Sequence, residues 1–168
     1  NKRGHSNPMP IGTKSSKINI SKEIDTKLIS KKISSYLING DIIFLYGEIG
    51  VGKTTFVKYL INYLQADKKF PVTEIPSPTF NLVYEYQIDE LILKHYDLYR
   101  INDEKELDGI GIFEDNSKQI TLIEWSEKIK NTKIKNIIYL NFEYDEDYKN
   151  RYITILSDNK IDFLDEFK

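Results

Sequence analysis

Hydrophobic positions fall into two rhythms along this chain. Ile42-Ile43-Phe44-Leu45-Tyr46 is a continuous apolar run, the pattern of a strand buried on both faces. Before it, Ile24, Leu28, Ile29, Ile33, Tyr36 and Leu37 recur at helical spacing. Ser21 is placed as the N-cap of that helix, and Asn39-Gly40 as its end. After it the chain turns helical again through Thr55-Phe56-Val57-Lys58-Tyr59-Leu60-Ile61, to about Gln65. Lys17 to Ile20 reads as a short first strand, and Ala66 to Pro76 as a loop. Asn81 to Tyr86 alternates and Leu91 to Asp97 resumes the extended character, predicting a β-hairpin with a loose turn over Ile88-Asp89-Glu90. Asn102 to Leu107 predicts a short helix capped by Asn102 or Asp103. Gln119 to Glu124 reads as a strand ending in a carboxylate, with a short helix from Ser126. Asn136 to Phe142 and Arg151 to Leu156 close the pattern as two more strands.

This sequence of elements predicts an α/β P-loop NTPase-like fold in three layers, with a mixed central sheet, an antiparallel hairpin and flanking helices. Residues 1–16 lack periodicity and read as a disordered leader, residues 17–157 as one domain, and residues 158–168 as a tail.

Between the buried strand and the second helix stands Gly47-Glu48-Ile49-Gly50-Val51-Gly52-Lys53-Thr54, matching G-x-x-x-x-G-K-[ST] in its strand–turn–helix context. A backbone that wraps a phosphate turns its N–H groups inward, which calls for glycines free to take positive φ. The helix N-terminus adds its dipole. Lys53 is expected to neutralise the outer phosphates and Thr54 to offer a hydroxyl to Mg²⁺. The loop residues Glu48, Ile49, Gly50, Val51, Gly52, Lys53, Thr54 and Thr55 thus form the expected nucleotide cradle.

Composition narrows the picture. The net charge of −2 gives no basis for a large nonspecific nucleic-acid footprint. The chain has no cysteine, which excludes disulfides and thiolate metal sites. No apolar run has the length of a membrane span, and a cytoplasmic location is expected. Of 24 basic residues only Arg3, Arg100 and Arg151 are arginine, so Arg100 and Arg151 are candidates for places that need a planar, bidentate guanidinium.

A P-loop needs a second carboxylate for Mg²⁺ where a neighbouring apolar strand runs out. Glu124 fits, as the first charge after Ile120-Thr121-Leu122-Ile123. Ser77-Pro78-Thr79-Phe80 places a hydroxyl on a loop before a strand, as a γ-phosphate-sensing switch would. His95 and Asp97 lie two apart on an extended segment and so share a face, suited to positioning water or to supporting a metal ligand. Two further motifs carry less. Asn159-Lys160-Ile161-Asp162 and Asp108-Gly109-Ile110-Gly111 spell the N-K-x-D and D-x-x-G of GTPases. The first comes too near the end of the sequence and the second follows a charged run, so both read as chance.

Taken together, these segments resemble the bacterial TsaE (YjeE) ATPases. Leu45 to Thr55 resembles that family's P-loop, Ser77 to Tyr86 its switch segment, His95-Tyr96-Asp97-Leu98-Tyr99-Arg100 its His-x-Asp-Leu-Tyr-Arg signature, and Leu122-Ile123-Glu124-Trp125 its Ile-Glu-Trp signature. The likeness covers residues 20 to 156, with Ser126 standing where many relatives have proline. It implies an ATP- and Mg²⁺-binding subunit that hydrolyses ATP slowly and is required for threonylcarbamoyladenosine in tRNA, acting on a TsaB–TsaD-like heterodimer in a ternary complex. Catalytic roles are implied for Lys53, Asp97, Glu124 and Thr79, metal ligation for Thr54 and Glu124, and nucleotide contacts for Glu23, Thr26, Trp125 and Arg151. The rival readings are a small-molecule kinase, which the scarcity of arginine disfavours, and a non-enzymatic nucleotide-gated interaction module.

Overall fold

A computed structural model of the chain describes residues 13–76, 82–112, 114–130 and 137–157. Residues 77–81 of the expected switch segment and the N-K-x-D tetrapeptide lie outside them. Eight strands form one sheet: β1 (Thr13–Lys14), β2 (Ile18–Asn19), β3 (Ile42–Tyr46), β4 (Val83–Ile88), β5 (Leu91–Asp97), β6 (Gln119–Glu124), β7 (Ile137–Tyr144) and β8 (Arg151–Ser157). The order is β1-β8-β7-β3-β6-β5-β4, with β2 also on β8. Strands β7, β3, β6 and β5 run parallel, while β4 and β8 join antiparallel at the two sides.

The expected mixed sheet is therefore present, with the P-loop strand β3 at its centre, where burial on both faces demands the apolar run at 42–46. Ile43 and Leu45 join a core with Ile120, Leu122, Leu140 and Phe142 under helices α1 (Glu23–Ser34) and α2 (Lys53–Asp67). Phe44 and Tyr46 face the other way, onto Tyr96, Leu98, Ile101, Leu107 and Ile123. On this second face the helical cover among the described residues is α3 (Lys105–Gly109), and the connecting segment from Leu98 to Ile112 adds to the layer. Each such side chain, fully buried, contributes about 1.5–3 kcal/mol. Among the described residues no helix is long and apolar enough to cross a membrane.

Several boundaries move from their sequence expectation, each for a local reason. Thr13–Lys14 pairs with β8, and Ser15 is buried with its N–H donating to Ile155 O at 2.7 Å. Ordered structure thus begins inside the stretch expected to be a leader. Ser21 is not the helix cap. That position is Lys22, whose N–H donates to Asp25 Oδ2 at 3.3 Å, while the Ser21 hydroxyl oxygen accepts the Arg151 N–H at 3.0 Å. Helix α2 runs on to Asp67 because Lys69 adopts φ 56° and Phe70 N–H closes on Gln65 O at 2.8 Å, a left-handed terminus that satisfies the last carbonyls. The hairpin turn is tight, not loose. Ile88 pairs with Leu91 across Asp89-Glu90, with Asp89 at φ 57°. The cap of α3 is Glu104, although Asp103 Oδ1 still accepts the Lys105 N–H at 3.0 Å.

Tyr86, on β4, supplies a pH test. Its buried hydroxyl has no hydrogen-bond partner among the described residues, and burial pushes the phenol up to about 12 from 10.0. The unfolded chain releases this proton first, so stability is complete below about pH 10 and falls as pH rises towards about 12. Tyr86→Phe is expected to be as stable as the parent near neutral pH, or about 1 kcal/mol more so. It should also lose less stability at alkaline pH, as read from paired urea melts.

Candidate nucleotide-binding site

The Gly47–Thr54 loop leaves the C-terminal end of β3 and enters α2 through Gly52, at φ 117°. Gly47 is fixed by contact. At φ 143° a Cβ there would stand 2.8 Å from both Phe142 O and Val51 Cγ1. Val51 is fully buried, so the loop is pinned at its middle by an apolar side chain, and its carbon skeleton faces the core while Glu48, Ile49 and Gly50 stay exposed. A loop anchored on one side and open on the other presents backbone to an anion.

At the entrance of α2, the Thr54 hydroxyl donates to Glu124 Oε1 at 2.9 Å. Strand β6 delivers Glu124 there because it pairs parallel with β3, placing Glu124 opposite Leu45. On the far side β5 sets His95 opposite Leu122 and Asp97 opposite Glu124. His95 Nε2–H donates to Glu124 Oε2 at 2.6 Å, with both side chains buried. The Glu124 carboxylate is thereby held at both oxygens. His95 thus lies directly behind Glu124, on the side away from Thr54. Asp97 is also buried, and its Oδ1 accepts the Tyr99 N–H at 2.9 Å.

Lys53 is almost completely buried. Its ammonium donates to Gly47 O and lies 3.5 Å from the centroid of the Trp125 ring, within cation–π range. Burial lowers its pKa, against the opposing pull of Glu127, Glu124, Asp97 and Glu48 in decreasing order. A charge stripped of water and ringed by carboxylates at one edge interacts strongly with any anion that reaches it. Trp125 holds φ 62°, and its ring also packs on Tyr99 at 5.0 Å. The 3-10 turn Ser126–Lys128 follows. Ser126 is buried and donates to Ile123 O at 2.8 Å.

The oxygen donors Thr54 and Glu124 fit Mg²⁺, a hard cation that takes one or two protein oxygens and keeps several waters. The structure does not bring every expected residue to the loop. Arg151 is there, with Nη1 3.6 Å from the position a Cβ on Gly52 would take and Nη2–H donating to Ser21 O at 3.0 Å. Thr55 is half-buried on the first turn of α2. Glu23 and Thr26 stand in the first turn of α1, Glu23 exposed and Thr26 only 4% exposed. Arg100 is exposed at the end of β5. Thr79 lies outside the described residues. Two participants went unread in the sequence. Glu127 Oε2 accepts the Gly47 N–H at 3.0 Å, and the Tyr144 hydroxyl donates to Gly50 O at 2.8 Å. Tyr144 had a signal, since strand alternation puts it on the face of Leu140 and Phe142. Glu127 had only its place one turn beyond a strand end.

Comparison with known proteins agrees with this geometry. The family model for "Threonylcarbamoyl adenosine biosynthesis protein TsaE" matches residues 20–153. The chain belongs to the TsaE family. The TsaE protein of Rickettsia conorii, named for tRNA threonylcarbamoyladenosine biosynthesis, is 34% identical over 155 residues, covering 88% of this chain and 86% of the relative. The Bacillus subtilis TsaE protein is 34% identical over 106 residues, 63% of each chain. The crystal structure of Bacillus subtilis YdiB superposes with a TM-score of 0.65 at 25% identity, covering 94% of this chain and 95% of that one. The TsaE match takes in the P-loop, both residues of the His95/Asp97 pair, Glu124, all of β7 and the start of β8.

Since the loop closes on Phe142 with no space for a methyl group, Gly47→Ala is expected to cost about 1–3 kcal/mol, measured as a drop in urea midpoint at unchanged m-value.

Proposed function

We propose that the chain binds ATP with Mg²⁺ on the Gly47–Thr54 loop and hydrolyses it slowly in support of threonylcarbamoyladenosine formation in tRNA. Its turnover would be set by a heterodimeric partner like TsaB–TsaD, in the cytoplasm. The observation that carries the hydrolytic reading is the buried run Thr54–Glu124–His95 at the mouth of the phosphate loop, with Asp97 beside it. The names of the curated relatives support the link to tRNA modification.

In this reading the loop N–H groups and the Lys53 ammonium take the phosphates. Thr54 and Glu124 hold Mg²⁺, which when bound offsets negative charge on the phosphate oxygens. His95 keeps the Glu124 carboxylate in one orientation, so no reorganisation is needed as charge develops. Asp97 orients a water and receives its proton while the water oxygen bonds to the γ-phosphorus and the bond to the bridging oxygen breaks, releasing ADP. Thr79 is assigned the sensing of the γ-phosphate. The kinase alternative is disfavoured because such enzymes close several arginines over the phosphates, whereas of the two arginines described only Arg151 stands at the loop, and Arg100 is exposed beyond the end of β5.

Asp97→Asn is expected to lower kcat for ATP about 10²-fold or more, while ADP affinity stays within a few-fold of the parent. Phosphate release assayed with and without the partner pair checks this. Equal, negligible turnover by the parent in both conditions would sink the hydrolytic reading, and a phosphorylated acceptor found by mass spectrometry would replace it with a kinase.

A further inference from the structure

Three of the buried polar residues of the site lie on one side of β3. Glu124, Asp97 and His95 come from β6 and β5, and they fill that side with carboxylate. On the proposed function, Thr54, Glu124 and Lys53 would take the metal and the terminal phosphates, and the rest of a nucleotide would then lie the other way, towards β7 and β8. There the β7–β8 hairpin carries an aromatic pair. Tyr144 and Tyr148 rings lie 4.9 Å apart at 42°, and the Tyr144 hydroxyl bonds Gly50 O at the loop's exposed tip.

Tyr148 is unusual in two ways at once. It takes φ 57°, a conformation costly for a bulky residue, and yet it is 65% exposed. Core packing does not account for a strained ring left in water. The hairpin nevertheless enforces it. Tyr148 N–H donates to Asp145 O at 3.1 Å. The Asp145 carboxylate accepts from Lys149 N–H and Asn150 Nδ2–H, each at 2.9 Å. Strain that the surroundings impose on an exposed side chain points to use of that side chain.

We propose that Tyr148 is the stacking platform for the nucleotide base, with Tyr144 fastening the platform to the phosphate loop through Gly50. The assignment rests on nucleotide binding at the loop and adds where the base sits and how it is read. Stacking on a π-face is tolerant of base identity, so the site takes purine nucleotides with little preference between adenine and guanine.

The test uses the full chain with Mg²⁺ and two ligands, ADP and inorganic tripolyphosphate, the second lacking base and sugar. Tyr148→Gly removes the ring and relieves the backbone, so the variant should melt no lower than the parent. It is expected to bind ADP about tenfold more weakly and tripolyphosphate equally well, while Tyr148→Phe restores ADP binding. Unchanged ADP affinity in Tyr148→Gly overturns the assignment, as does an equal loss for both ligands, which would place the effect in the loop. A parent that binds neither ligand refutes the nucleotide-binding reading itself, a result distinct from either of these.

Discussion

The site is organised by the requirement that one buried carboxylate be satisfied. Glu124 is 1% exposed, and a carboxylate at that depth is tolerable only when its oxygens are bonded. Thr54 takes one oxygen and His95 the other. Meeting that demand fixes three elements relative to one another: the first turn of α2, the end of β6 and the penultimate pair of β5. The parallel register of β3, β6 and β5 supplies the alignment, so sheet geometry and site geometry are one arrangement.

The loop is held by the same economy of contacts. Gly47 passes so close to Phe142 that only a hydrogen fits. Val51 is sunk in the core, and Glu127 and Tyr144 bond to Gly47 and Gly50 from opposite sides. These contacts leave the inner face of the loop defined before any ligand arrives, which spares binding the cost of ordering it.

Much of this was readable in the chain. The run at 42–46, the glycine spacing and the carboxylate ending the strand at 119–124 reveal the centre of the sheet and the mouth of the loop, because burial and tight turns leave direct traces in residue type. The shared face of His95 and Asp97 follows from strand periodicity alone. What escaped depends on long-range approach. Ser21 has the chemistry of a cap, but a strand some 130 positions away competes for its hydroxyl and wins. Thr13–Lys14 joins the sheet through backbone bonds that need no apolar pattern. Glu23 and Thr26 were named only through resemblance, and Thr26 is buried in the first turn of α1. Glu127 reaches the loop across a separation of 80 residues, which no local rule registers.

Trp125 shows what selection has favoured at this site. Its left-handed backbone, φ 62°, costs on the order of 1–2 kcal/mol in a residue with a side chain, and glycine would adopt it freely. Glycine, however, would leave the Lys53 ammonium with no aromatic face beside it. The position therefore forgoes stability that a single change would recover, and a thermostabilised version of this protein obtained by screening for folding alone would be drawn towards replacing the very ring that seats the buried lysine of its glycine-rich loop.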